Sequence, residues 1–385
     1  MTMARPVTEL ATGIELLPLA GNEDRIEAAW RALCARHPHS FFLSWGWMQS
    51  WLQCFAEQAD IRCAIYYRAG EPQAGMFLGF RNYRKRGLLP TRSAHLNATG
   101  IKELDAITIE YNSILGADNC PATLAQALAS RELRRCNEVV FSGASDNFHQ
   151  AVMKCADSYY VNANPQASYY VDLDKVRAKG NDYMALLSSN KRQQIRRSIR
   201  EYEKGGKIRH EVAENLEQAF EMFDAMGELH SATWRKRGRQ GCFANEHWLR
   251  FHRRLIENRF GEGEIHISRF ATDTDTLGYV YGFIYDGRFL FCQCGFKYSD
   301  NNKLRPGLVS HFLLVNYFCE RGLAVYDFLA GDGDYKQSLC TDRTAIYWLA
   351  LQRRTAQFKL AKVLKGLLTN GARPALVKQL PQHRQ

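Results

Sequence analysis

The stretch LRPGLVSHFLL, from Leu304, begins with residue types suited to holding an anion. The first turn of a helix leaves backbone N–H groups unpaired and carries the positive end of the helix dipole. Pro306 suits that turn because its missing N–H costs no bond there. Gly307 lets a phosphate come close to the backbone, the N–H groups of Gly307 and Leu308 point out of the turn, and Arg305 adds charge. The same residues would equally make an ordinary Pro-Gly loop. A second group lies in YDFLAGDGDYK, from Tyr326. An amine or hydroxyl that attacks a carbonyl must lose a proton, so a carboxylate, histidine or water chain has to stand nearby. Asp327, Asp332 and Asp334 are candidates, with His311 a fourth that also reads as a core histidine. Strand alternation sends Asp327 to the face opposite Tyr326 and Phe328, where a carboxylate needs a partner. Lys336 is available as that partner, or as a contact for an oxyanion or phosphate.

Basic residues form a third group. In SSNKRQQIRRSIR, from Ser188, the side chains of Arg192, Arg196 and Arg200 share one helical face at spacing four. That stripe is either a phosphate or anionic-acceptor contact or a solvated face. Trp234, Arg235 and Arg237 in HSATWRKRG, from His230, offer aromatic and guanidinium stacking for an acceptor. No cysteine stands in a recognisable nucleophile setting and no GxSxG motif is present, so direct attack of acceptor on donor is expected.

These groups need a scaffold. The first half alternates strand and helix signals: GIELLPL from Gly13, a helix over 23–36, the aromatic segment FFLSWGWMQSWLQCF from Phe41, strands over 61–68 and 75–81, a helix from Pro121, and a strand at CNEVVFSG from Cys136. In the second half SYYVDLD leads into the basic helix, a short strand and two helices, over 216–237 and 245–260. Three strands follow, over 264–270, 277–285 and 289–298. Asp286-Gly287 joins the last two, a pair suited to the positive φ angles of a type I′ turn. An apolar helix from Pro306, a buried strand AVYDFLAG and a final strand from Thr344 complete the order.

At 385 residues, with 46% hydrophobic and 24% charged side chains, the chain is a globular protein of two domains rather than a disordered one. The expected boundaries are 1–165 and 166–352, with a basic tail over 353–385. No apolar run reaches the length of a membrane span, so a cytoplasmic protein is expected. Eleven scattered cysteines read as reduced thiols, and no metal site is expected. The net charge of +11 is concentrated in 188–209 and in the tail, which favours anionic partners: a nucleotide cofactor, RNA or an acidic membrane surface.

The second half, about 168–351, resembles the GNAT acyltransferases. It is most similar to the cellulose-biosynthesis-associated acetyltransferase-like subfamily, which is related to Fem-type peptidyltransferases that use aminoacyl-tRNA. The segments from Ser188, His230, Pro306 and Tyr326 carry this resemblance, and FFLSWGWMQSW extends it to the first half. It implies an α/β (α+β) fold of tandem GNAT-like domains, each a mixed, mostly antiparallel sheet flanked by helices. It also implies acyl-CoA or a similar thioester as donor, held at Arg305, Pro306, Gly307 and Leu308. The acceptor would be a small-molecule or cell-envelope or polysaccharide-related amine or hydroxyl, and the tail would touch an anionic membrane. In such a fold two strands part and a backbone N–H in the gap polarises the thioester carbonyl. Here Cys294 or Gly295 would supply it, Tyr335 would act as general acid on the leaving thiol, and Lys336 would stand beside it.

Overall fold

A computed structural model describes residues 12–85, 89–116, 121–331 and 333–355. The chain divides into two compact units, one of Met1–Pro165 together with the strand from Ile346 onward, the other of Gln166–Ala345.

In the first unit the order is β1 (Gly13–Pro18), α1 (Glu23–Arg36), α2 (Trp45–Phe55), β2 (Asp60–Arg68), β3 (Glu71–Lys85), β4 (Leu89–Leu96), β5 (Leu115–Gly116), α3 (Pro121–Ala129), α4 (Arg131–Arg134), β6 (Glu138–Ser145), α5 (Asp146–Lys154) and the start of β7 (Tyr159–Asp172). The second adds α6 (Leu173–Arg177), α7 (Ser189–Tyr202), β8 (Arg209–Val212), α8 (Leu216–Lys236), α9 (Glu246–Arg259), β9 (Ile265–Ala271), β10 (Thr276–Tyr285), β11 (Arg288–Phe296), α10 (Pro306–Glu320), β12 (Val325–Ala330), α11 (Asp334–Leu339) and the start of β13 (Asp342–Arg353).

Each unit is a mixed α/β fold built on one mostly antiparallel sheet. In the first the strand order is β1-β2-β3-β4-β6-β13, and in the second β7-β12-β11-β10-β9-β8. One neighbouring pair in each is parallel, β4 with β6 and β11 with β12. The last strand does not stay with the half of the sequence that precedes it. From Ile346 on, β13 pairs antiparallel with β6 and buries Ile346, Leu349 and Leu351 there, so 346–352 lies with the first unit and not with 166–345. Apolar burial drives this, since the inward face of β6 would otherwise lack its neighbour. Asp286 and Gly287 have φ of 46° and 68°, and the turn joins Tyr285 to Arg288 as the hairpin signal predicts.

The two parallel pairs are the functional contrast. In the first unit β4 and β6 pair at Ser93↔Glu138, Ala94↔Val139 and His95↔Val140, and then a side chain fills the space between them. The buried Asn112 Nδ2 donates to Leu96 O at 3.1 Å and Ser142 O at 2.9 Å, and its Oδ1 accepts from Asn97 Nδ2 at 2.8 Å. Its backbone bonds Gly143 and Ser145 as well. Asn112→Leu is expected to strand those partners and lower stability by roughly 2–4 kcal/mol, measured by denaturant unfolding, while ligand binding to the second unit is unchanged.

Candidate active site

In the second unit the corresponding space is open. β11 and β12 pair only at Arg288↔Val325, Phe289↔Tyr326 and Leu290↔Asp327. Past that point β12 bulges: Leu329 has φ of +60° and the register against β7 slips between Asp327 and Ala330. Asp327 shapes the bulge. Fully buried, it accepts the Leu329 N–H on Oδ1 at 2.8 Å and takes Arg288 Nη2 on Oδ2 at 2.8 Å. β11 meanwhile continues along β10 to Phe296, so the two strands part.

A cavity of about 540 Å³ lies at this opening, bounded by α7, α8, β11, the start of α10 and α11. At one end Lys191 and Arg305 stand beside Gly307 and Leu308 of the first α10 turn. Gln194 sets both cations, its Oε1 accepting from Arg305 Nη1 at 3.3 Å and Lys191 Nζ at 3.5 Å, while Ser198 Oγ accepts the Arg305 N–H at 2.9 Å. Burial, and then the charge of Arg305, lower the Lys191 pKa, so an incoming anion would relieve a strained pair. A side chain at Gly307 would place its Cβ 3.1 Å from the Phe296 ring on the cavity wall.

Cys294 of β11 lines the cavity. The Cys294 N–H donates to Gln293 Oε1 at 3.0 Å, away from β10. Ladder alternation therefore aims the next N–H, of Gly295, at β10. Gly295 serves packing instead, because a Cβ there would sit 2.1 Å from Met226 O, and its lack of a side chain lets α8 lie against β11. Behind the wall, Tyr335 is stacked on His311 with centroids 5.4 Å apart. Burial raises the Tyr335 pKa well above its ordinary value, which keeps the phenol protonated. Burial, aided by the Lys336 charge, lowers the His311 pKa to about 3, so this imidazole is neutral, and its Nδ1 lies 2.7 Å from Tyr326 Oη. Asp334 is the sole carboxylate among the described residues lining the cavity.

Of the residues singled out in the sequence, Trp234, Cys294, Arg305, Gly307, Leu308, His311 and Tyr335 line this cavity together. Pro306 opens α10 behind them. Others stand elsewhere. Asp327 does not line the cavity, and its carboxylate is engaged in shaping β12 with Arg288 as the observed cation. Lys336 is buried, with Nζ donating to Ala330 O at 2.8 Å, so it ties the turn. Arg192 bonds Leu187 O at 2.6 Å, and Arg196 and Arg235 are exposed. The α7 residue that lines the cavity is Lys191, not a member of the arginine stripe. Asp332 and the tail beyond 355 lie outside the described residues. Sequence reasoning missed Gln194, Gln293, His230 and Cys242, whose placement depends on folding distant segments together. The ten described cysteines form no disulfide, and no described helix is long and apolar enough to cross a membrane.

Residues 189–337, which include every residue of the cavity, match the acetyltransferase (GNAT) domain family. No curated protein matches in sequence. Among solved structures the chain is similar to FemX, with a TM-score of 0.54 at 11% identity over 91% of this chain and 100% of that one. It is also similar to L-PGS from Bacillus licheniformis, with a TM-score of 0.51 at 10% identity over 93% and 99%. A protein of unknown function from Bacteroides thetaiotaomicron gives 0.51 at 12% identity over 89% and 100%. At such identities these likenesses concern the fold. The parted parallel strands, the helix starting beside two cations and the domain match at 189–337 together mark the second unit as carrying a GNAT-type acetyltransferase domain.

Proposed function

We propose that the second unit transfers an acyl group from acyl-CoA, or a comparable phosphate-bearing acyl donor, to an amine or hydroxyl acceptor. The observation that carries this is the open gap between β11 and β12, with a polarising amide in it and an anion-holding helix start at its end. Donor phosphates would lie on Lys191, Arg305 and the first N–H groups of α10. The acyl carbonyl would replace Gln293 Oε1 on the Cys294 N–H, which then meets the negative charge as it develops. Tyr335, kept protonated by burial, is placed to give its proton to the departing thiol, and Asp334 to take the acceptor's proton. Arg237, 5.4 Å over the Trp234 ring, stands at the acceptor side. A cell-envelope acceptor, and contact of the basic tail with an anionic surface, remain part of this reading.

Titration calorimetry with coenzyme A and acetyl-CoA tests it. Lys191→Ala and Arg305→Ala are each expected to weaken binding about tenfold, on the order of the 1.5–3 kcal/mol of a charged hydrogen bond, with the Tm unchanged. Absence of binding by the unaltered protein would sink the thioester reading. The sequence resemblance to Fem-type peptidyltransferases supports a second donor class, an aminoacyl ester of tRNA. Binding of aminoacyl-tRNA that coenzyme A fails to displace would decide for it.

A further inference from the structure

The cavity runs through the sheet, and its two ends differ in what their cations already hold. Successive residues of β11 point to opposite faces: a Cβ at Gly295 would meet Met226 of α8, whereas the Phe296 ring meets Gly307 of α10. α8 and α10 therefore cover opposite faces, and the cavity that both line passes between β11 and β12. On the α10 side Lys191 and Arg305 share Gln194. On the α8 side the cation is Arg237, and no carboxylate among the described residues pairs with it.

The place of Arg237 is built by the backbone. α8 ends in a Schellman turn, with Gly238 at φ of 66°, its N–H donating to Arg235 O and the Arg239 N–H to Trp234 O, each at 3.0 Å. That turn leaves Arg237 at the end of the helix with its guanidinium carbon 5.4 Å from the centre of the Trp234 ring. Gly241 fixes the ring, since a Cβ there would fall 2.7 Å from Trp234 Cδ1 and 2.1 Å from His230 Cε1. Arg235 and Lys236 already give the last turn its cations, so the helix dipole does not require a third over Trp234. Burial is the main cause of the shifted pKa values of His230, Cys294 and Tyr298, and the Arg237 charge pulls all three down, which places the guanidinium toward these residues of the cavity wall.

We propose that the acceptor is an amine that also carries an acidic group, a carboxylate or a phosphate, and that Arg237 holds the acid while the amine enters the gap. This rests on the acyl-transfer reading of the same cavity and names its acceptor class. A guanidinium offers such an acid two parallel N–H donors. The charges along the cavity fit the molecule. Donor phosphates take Lys191 and Arg305, which leaves Arg237 as the cation without an anion. His230 and His311, lowered by burial to about 4 and about 3, are neutral at pH 7 and do not compete for the acid. Asp334, the sole carboxylate among the described lining residues, belongs to the helix after β12, whereas Arg237 belongs to the helix packed on β11. An acid on Arg237 therefore leaves Asp334 to the amine. In the transfer the free amine's nitrogen bonds to the donor's carbonyl carbon and the bond from that carbon to the leaving sulfur breaks. Asp334 takes the nitrogen's proton and Tyr335 supplies one to the thiolate.

The test uses the full chain with acetyl-CoA and paired amines: amino acids against their amides, and phosphoethanolamine against ethanolamine. Released coenzyme A reports turnover, and calorimetry reports binding of each amine. The acidic member of a pair should be bound and used at least about tenfold better than the neutral one, and the better of the two acidic arms identifies the acid. Arg237→Ala should raise KM for the acidic amines about tenfold with little change in kcat, and leave the neutral ones and the Tm as they were. Arg237→Glu should turn the preference toward diamines such as putrescine, a reversal that a merely structural arginine would not produce. Equal use of acidic and neutral amines, or an equal loss of both in Arg237→Ala, overturns the acceptor class and leaves transfer from acetyl-CoA standing. Acidic amines bound through Arg237 by a protein that binds no coenzyme A support the acceptor site and overturn the thioester donor. If no acidic amine is bound or used, the acceptor class is overturned whatever the donor.

Discussion

Asp327→Ala should lower stability by roughly 3 kcal/mol, the cost of stranding buried hydrogen-bonding partners, and should abolish donor binding as well. Asp327 is fully buried and satisfies the N–H of Leu329 at the point where β12 turns from β11. Arg288 is 38% exposed, so the loss of its partner is partly screened and the larger share comes from the unpaired Leu329 N–H and the empty space. Without that acceptor, Leu329 loses the bond that fixes its N–H at positive φ, and β12 can relax toward continued pairing with β11. The gap between the two strands then narrows. Asp327→Asn keeps an oxygen for the Leu329 N–H and should cost less than half as much, with binding retained. Urea unfolding and calorimetry on both variants check this. A catalytic base would behave in the opposite way: Asp327→Asn would unfold like the unaltered protein and yet lose turnover.

Acidification below pH 6.5 should destabilise the protein strongly through its buried histidines. Burial lowers the pKa of His252, His266 and His311 to about 3 each, from an ordinary 6.5. His266 is lowered further by His210 and Arg321, and His311 by Lys336. In each case the unfolded chain binds the proton more readily than the folded one. Stability is therefore unaffected above pH 6.5, and falls as the pH drops from 6.5 toward the folded values. At pH 5 each such imidazole costs about 2 kcal/mol, from about 1.4 kcal/mol per pH unit over 1.5 units. Three of them amount to roughly 6 kcal/mol, against a total stability on the order of 5–15 kcal/mol. The Tm should be level between pH 7 and 8 and drop steeply below 6.5. His252, outside the cavity and packed against Trp248 with centroids 4.0 Å apart and planes tilted by 41°, gives the control. His252→Phe should reduce the proton uptake on unfolding at pH 5 by about one. A Tm level down to pH 5 would mean that these rings are charged in the folded state.

The order of strands and helices in the second unit was legible in the sequence because its signals are local. Asp286-Gly287 needs only two positive φ angles to make its hairpin. Pro306 opens a helix through its own ring geometry, and alternating or four-spaced apolar residues mark their faces without help from distant segments. The start of α10 followed from the same local rules, and its Arg305, Gly307 and Leu308 line one cavity with Cys294 of β11.

Other features depended on which segments folding brings together. The arginine stripe of α7 obeys the spacing of a helical face, but Ile195 and Ser198 are the buried residues that rotate the helix. That rotation puts Lys191, not Arg196, on the cavity wall. Asp327 pairs with Arg288 because a parallel register brings the starts of β11 and β12 side by side, and no sequence spacing encodes that register. The strand at 346–352 reads as part of the second half until its apolar face finds β6. Cys242 stands beside His230 because Gly295 lets α8 press on β11 and Gly241 leaves room for the ring. Local backbone preference determined the elements and the helix start at Pro306. Close packing between segments far apart in the chain decided which side chains face one another, and with them the chemistry.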